Sequence, residues 1–130
     1  MPTDPKESVT RLYTLLAKLP LEEYLCSENF AVFCRNHSLC DTWKEHLDNA
    51  RDRPDLYGNE STKNAFILFF HHLLQTRSRE FLGILTAFLQ DFREWYESPL
   101  PCAALQKECI RMGFPNSLVE EEFLKVRTGV

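Results

Sequence analysis

Two apolar helices in succession, over residues 60–76 and 78–96, most constrain what this chain can fold into. In the first, Phe66, Ile67, Leu68, Phe69 and Phe70 surround the helix axis instead of lining one side. A helix apolar on all faces belongs at the centre of a bundle. In the second, Phe81, Leu82, Ile84, Leu85, Phe88, Leu89, Phe92, Trp95 and Tyr96 hold one stripe until Ser98-Pro99-Leu100-Pro101 ends it. Phe66, Phe69, Phe70, Phe81, Phe88 and Phe92, six of the ten phenylalanines, fall on this pair. Most of the aromatic content is therefore assigned to a core, and less remains for a surface.

The rest of the chain repeats the helical period. Asp4-Pro5-Lys6-Glu7 predicts a helix start, with a capping carboxylate, proline at the first helical position and glutamate three residues after the cap. Its stripe is Val9, Leu12, Tyr13, Leu16 and Leu19, and Pro20 stops it. A second helical region covers residues 21–35, with a break expected near Ser27. Ser38 is the expected cap of the next helix, whose inner face is Leu39, Trp43, Leu47 and Ala50. Residues 51–59, with Asp52, Pro54, Gly58 and Asn59, form the strongest turn signal. A further helix runs from Cys102 to Met112, where Gly113 suits a left-handed cap and Phe114 can pack back on the preceding turn. Ser117 to Glu120 reads as a capping box that opens a last helix, with Phe123 and Val126 inside. No segment reads as a strand. The expectation is an all-α fold, a compact antiparallel bundle of six or seven helices in one domain. Residues 1–98 form the main bundle and residues 99–130 a helical hairpin packed on it.

Length and charge narrow the function classes. The 130 residues suit a single core. Fifteen basic against nineteen acidic residues, net −4, give no reason to expect nucleic acid or an anionic membrane as partner. The polar N-terminus is not a secretory signal, and the longest apolar run, Ala65 to Phe70, is too short to span a bilayer. Five cysteines (Cys26, Cys34, Cys40, Cys102, Cys109) are an odd number without regular spacing. They are read as free thiols of a cytoplasmic protein, with the nucleus as the other compartment. An N-terminal piece of a larger protein is one reading of the chain, and the sequence leaves that open.

Cys34-x-x-His37-x-x-Cys40 carries metal-ligand types, with Cys26 and His46 nearby. Zinc needs about four such ligands converging in a tetrahedron, and paired Cys-x-x-Cys knuckles are missing. Core packing is the preferred reading, since buried cysteine behaves as a small hydrophobe. A zinc-binding or enzymatic protein using Cys34, His37 and Cys40 is kept as an alternative. His71 and His72 are adjacent on one helix and point about 100° apart, so they cannot chelate as an i, i+4 pair. The four glycines form no phosphate loop or dinucleotide fingerprint, and no Gly-x-Ser-x-Gly elbow occurs. Glu120-Glu121-Glu122 opens a helix, where the dipole favours negative charge. No cofactor and no catalytic residue is assigned.

Two resemblances give this scaffold a direction. Gly58-Asn59-Glu60-Ser61-Thr62-Lys63-Asn64 opens an apolar helix through Phe66, Leu68, Phe69 and Leu73. The polar turn Gln75-Thr76-Arg77-Ser78-Arg79 follows, then Phe81, Ile84, Leu85, Phe88 and Leu89. This quarter of the chain resembles the fourth and fifth helices of a caspase-recruitment domain, a death-fold family. The resemblance implies a six-helix antiparallel bundle that binds a like domain through opposite charges, in inflammatory, apoptotic or antiviral signalling. Asp48, Asp52, Asp55, Lys63, Arg77 and Arg79 would then be the interface charges. The second helix of this pair continues to Tyr96 and some thirty residues follow, more than a minimal domain of this kind needs. Separately, Cys109-Ile110-Arg111-Met112-Gly113-Phe114 and the capped helix after it resemble the first loop of a ubiquitin-associated domain. That resemblance implies ubiquitin contact through Met112, Gly113 and Phe114, although the chain ends at Val130 before a third helix of such a domain. The expected function is a non-enzymatic protein–protein interaction module, a death-fold-like adaptor or regulatory domain of intracellular signalling. A ubiquitin-binding helical domain is the first alternative.

Overall fold

The computed structural model describes residues 5–51 and 61–128. Among these residues there are eight helices: α1 (Pro5–Leu16), α2 (Leu21–Leu25), α3 (Glu28–Asn36), α4 (Cys40–Arg51), α5 (Ser61–Thr76), α6 (Ser78–Tyr96), α7 (Cys102–Arg111) and α8 (Asn116–Thr128). No strand occurs among the described residues, so the fold is all-α. The helix beyond the expected six or seven arises at Ser27. Its Oγ accepts from the Phe30 amide at 3.3 Å and donates to the Tyr24 carbonyl at 2.6 Å, closing α2 and opening α3 with one side chain.

Helix α5 is the central element. Ala65, Phe66, Ile67, Phe69, Phe70 and Leu73 are buried, and α1, α4 and α6 pack around it. Its all-round apolar surface is satisfied in this way. The α6 stripe Phe81, Leu82, Ile84, Leu85, Phe88, Leu89 and Phe92 is also buried. The two helices are antiparallel, because Phe70 meets Phe81 while Phe66 meets Phe88. Phe88 lies at the middle of the ring cluster, within 6.5 Å of Tyr24, Phe30, Phe33, Phe66, Phe70 and Phe92. Edge-to-face and tilted rings at such separations add about 0.5–1.5 kcal/mol per pair beyond the area they bury.

Not every neighbouring pair is antiparallel. Trp43 meets Phe69 and His46 meets His72, so contacts advance together along α4 and α5. Helix α8 likewise runs with α6: Phe114 lies on Phe81, Glu122 beside Thr86, and Val126 in one groove with Arg93. The hairpin of α7 and α8 contributes Leu105, Cys109, Val119, Phe123 and Val126 to the same core as the preceding helices.

The helix ends follow their local sequence signals less evenly. Ser38 does not cap α4. It adopts φ 57° and closes α3, where its amide bonds the Arg35 carbonyl at 3.2 Å and the Leu39 amide reaches Cys34 at 2.7 Å. This is a Schellman closure with serine in the position glycine normally takes. Gly113, at φ 107°, closes α7 as expected: its own amide bonds Ile110 and the Phe114 amide reaches Cys109. Helix α8 begins at Asn116, one residue before the Ser117 of the expected capping box. The expected Asp4 cap lies outside the described residues.

Candidate interaction surface

Most of the polar chemistry in the interior serves structure. Tyr24 is fully buried against Phe30, Phe88, Phe92 and Trp95, and its hydroxyl donates to the Asp91 carboxylate of α6. Burial first, and then Asp91, push its pKa far above 10. Glu108 on α7 has a side chain only 6% exposed; it takes the Arg111 guanidinium at 2.6 Å and lies 3.9 Å from Arg11 of α1. Burial pushes the Cys34 thiol up to about 12, with Cys40 adding to the shift. Burial, with Glu108 second, does the same to Cys109. Such thiols stay protonated at neutral pH and are poor nucleophiles.

The ligand types of Cys34-x-x-His37-x-x-Cys40 do not converge. Cys34 is in the core, the His37 ring packs on Phe33 at 4.4 Å, and Cys40 is exposed at the start of the next helix. Among the described residues no three His, Cys, Asp or Glu side chains form a group able to hold a metal.

The two other sets of candidate residues are partly brought together. Arg77 precedes α6, with its guanidinium on the Glu80 carboxylate, and Arg79 is exposed beside it. One turn in, Phe81 is fully buried and stacks on Phe114, with centroids 5.8 Å apart and planes 4° from parallel. The α5–α6 turn and the α7–α8 turn therefore share one end of the bundle. Around Phe114, Met112 is half-buried, while Ile110 and Leu118 remain 41% and 39% exposed. Gly113 shapes this turn, because its φ is one that side-chain-bearing residues rarely adopt.

Asp48 is exposed on α4, half a turn beyond the His46 that meets His72, so it lies towards this same end. Lys63 does not. It sits in the first turn of α5, its Nζ 6.0 Å over the Tyr13 ring, about 20 Å along the helix from Arg77 at 1.5 Å per residue. Asp52 and Asp55 lie outside the described residues. Ile110 and Leu118 were not singled out from sequence. An apolar residue on the outer face of a terminal turn resembles a core residue until the helix is docked.

Among the described residues, the large hydrophobic side chains that stay exposed are Ile110, Leu118 and Leu124 on α7 and α8, and Val32 on α3. A separate groove of about 550 Å³ runs between Leu100, Cys102, Ala103, Arg93 and Val126. No helix among the described residues is long and apolar enough to cross a membrane. Comparison with known proteins gave no matching family model, no matching curated protein and no matching solved structure.

Proposed function

We propose that the chain is a protein-interaction module that binds through the end where the α5–α6 and α7–α8 turns meet. The observation that supports this reading most is the Phe81–Phe114 stack, which sets a cationic turn beside an apolar one. Ile110, Met112 and Leu118 supply the apolar centre, and Arg77, Arg79 and Arg111 the charged rim. Protein interfaces have an apolar centre and a polar rim, with methionine and arginine enriched over the rest of the surface and truncation costs concentrated in a few residues. The partner that fits is a protein surface of apolar side chains bordered by carboxylates. Ubiquitin is one partner to try at Met112-Gly113-Phe114, although Phe114 lies flat on Phe81 and is not projected outward.

Capture from cell extract with wild-type bait beside Leu118→Asp, Arg79→Glu and the distant Lys63→Glu tests the proposal. Proteins held by wild type should be lost from the first two baits and kept by the third. Equal recovery on all baits would remove the reading. Titration of labelled protein with ubiquitin, followed at Met112 and Phe114, tests that partner directly, and an unchanged spectrum ends the ubiquitin option.

A second reading, the homotypic death-fold-like adaptor, is supported by Asp48 lying towards the end that carries Arg77 and Arg79. Opposite charges on one end allow two copies to pair. Sedimentation should then show self-association that weakens in Asp48→Arg and in Arg79→Glu and returns when the two variants are mixed. A monomer at all concentrations contradicts it.

A further inference from the structure

The contact between α4 and α5 holds a side-chain pair that the binding end does not use. His46, half-buried on α4, faces the exposed His72 of α5, with ring centroids 5.1 Å apart and planes inclined by 56°. Phe69 packs edge-on to the His46 ring at 6.5 Å, so that ring is seated against α5 and does not sweep through solvent.

We propose that His46 and His72 form a two-imidazole clamp for a divalent transition-metal ion such as zinc, joining α4 to α5. The separation is the one coordination requires. With metal–nitrogen bonds of about 2.0–2.1 Å and each ring centroid about 1.1 Å behind its nitrogen, two imidazoles at a tetrahedral angle have centroids about 5 Å apart. An imidazole can turn over within the same ring outline, so either nitrogen can be presented. Imidazole suits zinc, copper and nickel and is a poor ligand for calcium or magnesium, which prefer oxygen. No third His, Cys, Asp or Glu joins the pair among the described residues, so water completes the coordination shell. Sequence spacing does not pair His46 with His72, because they lie on different helices far apart in the chain.

Because both ligands are positioned only in the folded chain, the ion should stabilise it in a concentration-dependent way. The test is calorimetric titration of reduced, chelator-washed protein with Zn2+, paired with the absorption spectrum of the Co2+ form. The expected result is one site per chain, weakened at least tenfold in His46→Gln and in His72→Gln and unchanged in His71→Gln. The cobalt spectrum should lack a thiolate charge-transfer band. Where His46→Gln itself lowers the melting temperature, the exposed His72→Gln decides. Wild type that binds no zinc, variants that bind as well as wild type, or a thiolate band would each overturn the proposal.

Discussion

Two aromatic assemblies in this molecule do different work. Around Phe88, rings from α2, α3, α5 and α6 close on one another and none has surface to spare. At the α6 start Phe81 stacks on Phe114 of the α7–α8 turn, and Phe114 is only partly buried, with Ile110, Met112 and Leu118 close to it in the chain. The first assembly explains why the chain folds; the second lies under the surface proposed above for a partner. A high aromatic count alone does not distinguish them. What distinguishes them is whether the neighbouring apolar residues are covered.

Stability and binding should separate along this divide. Phe88→Ala should have the largest effect, about 3–5 kcal/mol lost in chemical denaturation, because the surrounding rings cannot all collapse into the gap. Gly113→Ala should cost about 1–2 kcal/mol. Nothing lies near an added Cβ there, so the loss is conformational and comes from φ 107°. That variant should also disturb the Met112–Phe114 turn, read as lost partner capture. Tyr24→Phe should cost about 1–2 kcal/mol by removing the donor to Asp91. The tyrosine holds its proton more tightly when folded than unfolded, so wild-type stability should fall as pH rises above 10, and less steeply in Tyr24→Phe. Leu118→Asp should change stability by no more than about 0.5 kcal/mol yet abolish partner capture. If Leu118→Asp unfolds the chain, or Phe88→Ala leaves it as stable as wild type, the two assemblies are not separate in the way described.

Helix identity was legible because the apolar period is strong: α5 and α6 could be placed from Phe66 to Tyr96 almost residue by residue. The break at Ser27 and the Gly113 closure were legible too, since each depends on side-chain or backbone chemistry written into a single residue. Ser38 misled because serine favours helix starts, and only tertiary packing of Cys34 and Leu39 pulls it into a closure. Helix directions were not legible. The parallel sense of α4 with α5, and of α8 with α6, depends on which faces meet across the core. For the same reason the sequence offered Arg77 and Phe114 as members of two unrelated motifs, whereas the fold makes them neighbours. The pairing of His46 with His72 was not legible for that reason as well.

Hydrogen exchange on the chain with its captured partner bound tests the central claim most directly. Protection gained on binding should be concentrated in residues 77–81 and 110–118, the two turns joined by Phe81 and Phe114. Protection confined to α2 and α3, or to the α5 start around Lys63, would contradict it.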